Sequence, residues 1–308
     1  MNDGVSNEQR LIIWHISDGR RGHDSQCLGL VQALQQLRPC EYFKIPFTPL
    51  PGLILPYLAG RFPAGGGLPD PDLIIGAGHH THLSLLCAKR ARRGRAIVLM
   101  RPSLPASWFD ACLVPNHDRQ PASASVIQTN GALTRIFPTD RHDPGRGLVL
   151  IGGPSDHHSW DHDNLLRQIN RVVGNSGLQW LITDSPRTPE NTSEALTALQ
   201  SATVRYATCK GLGPSWLPGQ LGRAGVIWIT EDSVSMIYEA LTSGAMVGLL
   251  EVPRKRDSRV TRIADELSNQ SMVTLFRDWC AGKALSSPSY ALNESGRCAR
   301  LLLEKFFL

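Results

Sequence analysis

A chain of 308 residues, 42% of them apolar, exceeds the usual single-domain size and can build two domains, each with a sizeable core. Its net charge is a modest +5, and its seven cysteines, odd in number and without a CxxC pair, argue against a disulfide framework or a cysteine zinc site and read as scattered reduced thiols. No run of 18 uncharged apolar residues is present, and the polar start MNDGVSNEQR lacks the charged-then-apolar order of a secretion signal, which points to the cytoplasm.

In the first half LIIWHIS, YFKIP, DLIIG, AIVLM and ACLVP read as buried strands, with helices from Ser25 to Leu37 and from His82 to Arg93 between some of them. The first strand runs into SDGRRGHDSQ, where two glycines, two arginines and a histidine share one turn. FTPLPGLILPYLAGRF, from Phe47 to Phe62, is apolar, and its prolines argue against a deeply buried regular helix; it is either a face that touches a membrane or a buried connection packed on the first sheet. KRARRGR then crowds Lys89, Arg90, Arg92, Arg93 and Arg95 together, either as a solvated helix end or as a surface for an anionic substrate or membrane. NHD places His117 and Asp118 just after ACLVP, where they can line the floor of a site.

After the polar stretch PTDRHDPGRG the pattern restarts with LVLIGG, LQWLIT, ATVRYA, GVIWIT and AMVGLLEV, again separated by helical periodicity. Strands alternating with helices imply parallel sheets built by right-handed crossovers. The expected architecture is α/β: two Rossmann-like domains, residues 1–143 and 144–308, with a C-terminal helix able to pack back on the first. Ligands of such sheets bind beyond the carboxyl ends of the strands, here in a cleft faced by both domains.

Three loops lie at such ends: SDGRRGHDSQ, IGGPSDHHSW and TEDSVSMIYEA. None is a Walker loop, since GK[ST] is absent, and none is GxGxxG with an acidic residue about 20 positions on, so ATP hydrolysis and ordinary NAD binding lose ground. In TEDSVSMIYEALTSGAMV, Asp232 or Ser233 can cap a helix, and the Ser233 and Ser235 hydroxyls with nearby N–H groups can hold a diphosphate. Glu239, six residues after Ser233, is either a surface charge or an acceptor for both hydroxyls of a ribose. IGGPS could bring Gly152, Gly153 and Ser155 against a donor or acceptor, or be a plain turn. In TDSPRTP, Ser185 and Arg187 follow a strand, and Arg187 could neutralise a leaving diphosphate. The histidines of GHHTH and DHHSWDHD have no helical i, i+4 pair and no matched distant cluster, so no metal is expected.

Several blocks, SDGRRGHDSQCLGL, FDACLVPNHD, TNGAL, GGPS, LITDSPRTP and TEDSVSMIYEALTSG, resemble in order those of the family of the plant mitochondrial-fission Elm protein, from about Trp14 to Val252. The resemblance implies a GT-B fold and, through the family's bacterial members, glycosyl transfer. The layout is also distantly similar to the inverting transferase that adds N-acetylglucosamine to the lipid-linked peptidoglycan precursor. By that similarity Glu239 holds the donor ribose and Ser233 and Ser235 contact its diphosphate.

On this reading Gly19 and Gly22 let the first loop turn tightly and present His23, whose imidazole can take a proton from an acceptor hydroxyl near neutral pH. Asp18 or Asp24 would orient the ring, or itself be the base; alternatively Asp24 is only a helix cap. The expected activity is inverting, metal-independent transfer from a nucleoside-diphosphate sugar to a sugar or lipid-linked acceptor, including lipopolysaccharide core, at the inner face of an anionic membrane. No resident cofactor and no nucleic-acid partner are expected. The rivals are a sugar-nucleotide epimerase of the same fold and a catalytically silent interaction protein.

Overall fold

The computed structural model describes residues 10–308 apart from 119, 122, 175, 176 and 214, with the side chain of His117 also outside the described set. The chain forms two compact units, one running to Arg135 and completed by Asn293–Leu308, the other comprising Ile136–Leu292.

The first unit is built on β1 (Leu11–Ser17), whose LIIWHIS run buries Ile13, Trp14 and Ile16 completely. There follow α1 (Arg21–Leu37), β2 (Cys40–Pro46), α2 (Leu50–Leu58), β3 (Leu73–Ala77), α3 (His82–Arg92), β4 (Arg95–Leu99), β5 (Ala111–Pro115) and β6 (Val126–Thr129). The sheet is parallel throughout, in the order β2-β1-β3-β4-β5-β6. Strands β3 and β5 are buried on both faces, as a parallel sheet covered by helices requires. The chain moves from β1 outward to β2 and returns on the other side at β3. The order therefore reverses between β1 and β3, and their carboxyl-end loops diverge to leave room for a ligand.

The second unit repeats this logic. Its elements are β7 (Asp143–Leu150), α4 (His162–Gly174), β8 (Gln179–Thr183), α5 (Glu190–Ala198), β9 (Val204–Ala207), α6 (Trp216–Leu221), β10 (Ala224–Thr230), α7 (Val234–Ser243), β11 (Met246–Leu250), α8 (Arg259–Asn269), β12 (Thr274–Leu275) and α9 (Phe276–Cys280). The parallel order β12-β11-β10-β7-β8-β9 reverses between β7 and β10. The sheet packs a core on each face, one around Ile227, Ile229 and Leu241, the other around Trp180, Trp228 and Ile169. The parallel α/β architecture inferred from the alternating pattern is thus present twice.

The second unit starts at Ile136 and not at residue 144. Ile136 packs into its core, the Thr139 amide donates to the Ser243 carbonyl at 3.3 Å, and a ring nitrogen of His142 lies 2.9 Å from the same oxygen. The last helix, α10 (Glu294–Phe307), belongs to the first unit. Its Asn293 cap accepts from the Gly296 amide at 2.9 Å, buried Glu294 accepts from the Asn130 amide at 3.0 Å, and the Ser295 hydroxyl donates to the Thr134 carbonyl at 2.7 Å.

Candidate functional site

Each unit gathers polar side chains at its point of strand-order reversal. In the first, β1 ends at Ser17, the chain turns through Gly19 at φ 78°, and α1 begins at Arg21, four residues before the expected Ser25. Gly22 consequently sits inside the first helical turn. Asp24 is also inside that turn and is not a cap; the N-cap position falls on Arg20, whose side chain makes no capping bond.

Asp24 does not orient His23 either. It accepts from the Ser17 hydroxyl at 2.7 Å and from Lys44 Nζ at 2.7 Å, and Nε2 of His15 lies 3.4 Å away. Burial opposes the Asp24 charge, yet the hydrogen bonds from Lys44 and Ser17 hold its carboxyl below the usual range. His15 is almost fully buried, with Nδ1 2.8 Å from the Tyr42 hydroxyl. Burial lowers its pKa to about 4 against the pull of Asp24, so the ring is neutral in neutral solution.

Asp18 is the partner of His23. Its Oδ2 accepts from Nδ1 of His23 at 2.8 Å while Oδ1 accepts from the Arg20 amide at 3.1 Å. The Asp18 side chain is 1% exposed and that of His23 17%. A carboxylate only accepts, so Nδ1 donates the hydrogen and Nε2 is the ring nitrogen left to take a proton. Arg20 and Arg21 are exposed beside this pair.

The wall behind His23 comes from a residue that the sequence reading passed over. Gly78 follows β3 with φ 82° and ψ 155°, and a Cβ there would collide with Cε1 and Nδ1 of His23 and lie 3.3 Å from Oδ2 of Asp18. The only sequence signal is a glycine directly after a buried strand, in GAGHHTH. The ring centroids of the next two residues, His79 and His80, lie 3.9 Å apart with the planes tilted by 40°. His82 is buried with Nδ1 3.1 Å from the Ser103 hydroxyl, and burial lowers its pKa to about 4. Asp118 is buried in the short turn after β5.

In the second unit the loops after β7 and β10 are stitched together. The Gly152 amide donates to the Thr230 hydroxyl at 2.8 Å and the Gly153 amide to Asp232 Oδ2 at 3.1 Å. Gly153 must be glycine because a Cβ would collide with the Arg187 backbone. Arg187 donates to Asp232 Oδ2 at 2.8 Å, to the Gly153 carbonyl at 2.8 Å and to that of Pro154 at 3.3 Å. Its side chain is 42% exposed, whereas that of Asp232 is fully buried. The Ser185 hydroxyl donates to the Gly152 carbonyl at 3.1 Å, and the Ser155 hydroxyl accepts from the amides of His157 and His158. These residues hold the shape of the loops.

Helix α7 starts from this platform. Its N-cap position is Ser233, but the side chain makes no capping bond; of Asp232 only Oδ2 is engaged, by Gly153 and Arg187, and the buried Oδ1 makes no hydrogen bond. The expected side-chain cap is therefore absent. A helix leaves its first-turn N–H groups without intrahelical partners, at the positive end of its dipole. Ser235 is exposed and Glu239 half-buried, and their i, i+4 spacing puts them on one helix face. Gly244 closes the helix with φ 94°. Behind the loop, buried Glu231 pairs with Arg254 at 2.6 Å; burial pushes its carboxyl up and Arg254 pulls it back. Arg254 also binds Asp265 at 2.5 Å, and Arg277 joins Asp265 and Glu251. Among the described residues no three His, Cys, Asp or Glu side chains group to hold a metal ion.

A family model described as mitochondrial fission ELM1 matches residues 21–306. A Rickettsia prowazekii protein, RP120, is 24% identical over 348 residues, covering 95% of this chain and 98% of its own. Among solved structures, a provisionally assigned UDP-N-acetylglucosamine 2-epimerase from Listeria monocytogenes superposes with a TM-score of 0.60 at 13% identity, covering 96% of this chain and 95% of that one. The UDP-GlcNAc 2-epimerase of Neisseria meningitidis, solved with UDP-GlcNAc bound, gives a TM-score of 0.55 at 12% identity, covering 96% and 98%. The fold is that of the GT-B group.

Proposed function

The chain belongs to the mitochondrial fission ELM1 family, and on that premise we propose that it transfers a sugar, with inversion, from a nucleoside-diphosphate sugar to a hydroxyl acceptor. The observation that carries this is the His23–Asp18 pair, a partly exposed imidazole held by a buried carboxylate through Nδ1. The acceptor O–H gives its proton to Nε2 as the oxygen attacks the anomeric carbon. The bond from that carbon to the diphosphate breaks, and the nucleoside diphosphate leaves with the electron pair. Asp18 stabilises the imidazolium that forms.

The second unit binds the donor. Glu239 accepts the ribose hydroxyls, while the first turn of α7 with Ser233 and Ser235 receives the diphosphate, doing the work a metal does elsewhere. Arg187 and Asp232 keep that platform in place. The UDP-GlcNAc held by the Neisseria protein supports a nucleotide sugar as ligand and makes uridine the first base to try. A sugar or lipid-linked hydroxyl, lipopolysaccharide core included, is the acceptor.

A second reading has a specific observation behind it, since the structures with TM-scores above 0.5 named above are epimerases or assigned as such. An epimerase converts its nucleotide sugar with no acceptor present, whereas a transferase releases nucleoside diphosphate in proportion to acceptor. The test is a thermal-shift screen of nucleotide sugars, followed by single-turnover reactions with and without acceptor. A ligand at 100 times its Kd adds about 2.7 kcal/mol of apparent stability. Acceptor-dependent diphosphate release supports transfer, conversion without acceptor supports epimerisation, and no shift with any nucleotide sugar leaves the interaction protein.

A further inference from the structure

We propose that α2 is a membrane-docking element that lies flat on an anionic phospholipid bilayer. This does not rest on the transfer reading. LPGLILPYL carries no charge, and only Leu53 is buried beneath it. Leu50, Ile54, Leu55, Tyr57 and Leu58 face solvent, with Leu55 77% and Leu58 70% exposed, and Trp108 is exposed beside them. Single exposed leucines are ordinary, but this many on one short helix and its neighbour form the kind of contiguous patch that marks an interaction site. Between α2 and α3 the patch opens into a cavity of about 810 Å³, with Leu86 and Cys87 among its lining and Lys89 and Arg90 at its edge.

The surrounding charge selects the occupant. From residue 42 to residue 109 the chain has eight lysines and arginines against two aspartates, although the whole chain carries only +5. Both aspartates sit outside the α2 segment, and Asp70 is paired with Arg92. Asp110, just past this stretch, takes Lys89 at 2.8 Å and Arg95 at 3.5 Å, and Lys44 is held by Asp24, so the charge that bears on α2 is that of Arg61, Arg90 and Arg93. Arg90 donates to the Tyr57 carbonyl at 2.9 Å and stacks over the Tyr57 ring at 5.1 Å, which holds a cation at the edge of the apolar face. Arg61 and Arg93 are exposed nearby in sequence. An apolar helix face with aromatic edges and a basic surround fits the boundary between acyl chains and anionic headgroups. A helix of nine residues, about 14 Å long, is far too short to span a bilayer. It is also small beside the roughly 800 Å² per partner of a stable protein interface, which argues against a second copy as the occupant.

The experiment is flotation of the full chain at low salt with vesicles of phosphatidylcholine alone or mixed with phosphatidylglycerol. The anionic vesicles should recover at least about tenfold more protein, and Leu55→Asp/Leu58→Asp should bring recovery down to that without vesicles. Arg61→Gln/Arg93→Asn should abolish the preference for anionic lipid. Brominated acyl chains should quench tryptophan emission in the wild type and much less in Trp108→Phe. Circular dichroism melting confirms that the variants fold, with Leu55→Ser/Leu58→Ser as replacement should the aspartates not. Equal recovery on both vesicle types overturns the proposal, as does wild-type flotation of the leucine variants. A dimer lost on Leu55→Asp/Leu58→Asp with no vesicle binding in the wild type overturns it in favour of a second copy.

Discussion

Oδ2 of Asp18 lies 2.8 Å from Nδ1 of His23, with the carboxylate almost wholly buried and the ring partly exposed. The pair therefore has one face fixed by the protein and one open to a ligand. His23→Ala should lower single-turnover transfer by roughly 10² to 10⁴, the usual contribution of a general base, while donor affinity stays within about twofold. Asp18→Asn should also lower turnover, because an amide neither fixes the tautomer nor balances an imidazolium. Isothermal titration with donor beside rapid-quench kinetics separates the two effects; wild-type turnover in His23→Ala would remove the base from this loop.

Gly78→Ala tests the wall behind that ring. The backbone there, at φ 82° and ψ 155°, lies where side chains are not tolerated, and a methyl group would strike His23. Urea denaturation should show a loss of about 1 to 3 kcal/mol. Turnover should fall further than stability alone accounts for, with nucleotide binding by the second unit preserved.

Glu239→Gln keeps the size and helix propensity of the side chain but replaces a charged acceptor by an amide. Losing a charge-assisted hydrogen bond costs about 1.5 to 3 kcal/mol, so donor affinity should drop more than tenfold. Titration of UDP against UDP-sugar with this variant shows whether the loss is tied to the ribose, which both ligands share. Unchanged affinity for both would take Glu239 out of the donor site.

His15 makes stability depend on pH. Its folded pKa of about 4 lies below the ordinary 6.5, so between these values the unfolded chain binds a proton that the folded one does not. Stability is therefore full above pH 6.5 and declines as pH falls towards 4, by on the order of 3 kcal/mol for this group. His82, with the same direction and cause, adds to the decline. Asp24, held below the usual carboxylate range, contributes stability present above that range and lost only at still lower pH. Urea midpoints between pH 7 and 4 should fall steadily, and His15→Gln should flatten the curve.

Arg254→Met should be one of the most damaging changes in the second unit. It leaves buried Glu231 without its cation and strips Asp265 of one of two arginines. Removing one partner of a buried pair costs about 3 to 5 kcal/mol. Replacing Glu231 by Gln in the same chain should recover part of that loss, and thermal melting of the single and double variants measures how much.

Much of this architecture can be read from the residues. LIIWHIS gives β1 with its observed bounds because six of its seven positions bury apolar or hydrogen-bonded side chains. Strand β6 is invisible: VIQT is four residues long, lies at the sheet edge and is only partly buried. Strand β7 starts at Asp143, where DPGR reads as a linker; its first four residues are exposed, so no apolar run marks them. The histidine of the first loop is legible as a candidate from its glycine-flanked place after a strand. Which aspartate serves it is not, since Asp18 and Asp24 are near-equivalent in sequence, and Ser17 and Lys44 decide the matter by claiming Asp24. Gly78 is likewise silent, because its role depends on a side chain more than 50 positions away.

The clasp of α10 on the first unit ties together residues at opposite ends of the chain and thereby sets an order of events on the ribosome. Every residue of Ile136–Leu292 emerges before Glu294 and Ser295 can reach Asn130 and Thr134. At roughly 5 to 20 residues per second the first unit waits on the order of 10 s, with the face of α1 against which α10 packs left uncovered, while the second can already close its own sheet. That interval is when nascent chains would be most open to chaperone capture. A chain stopped before residue 293 should yield a second unit resistant to protease and a first unit that is digested.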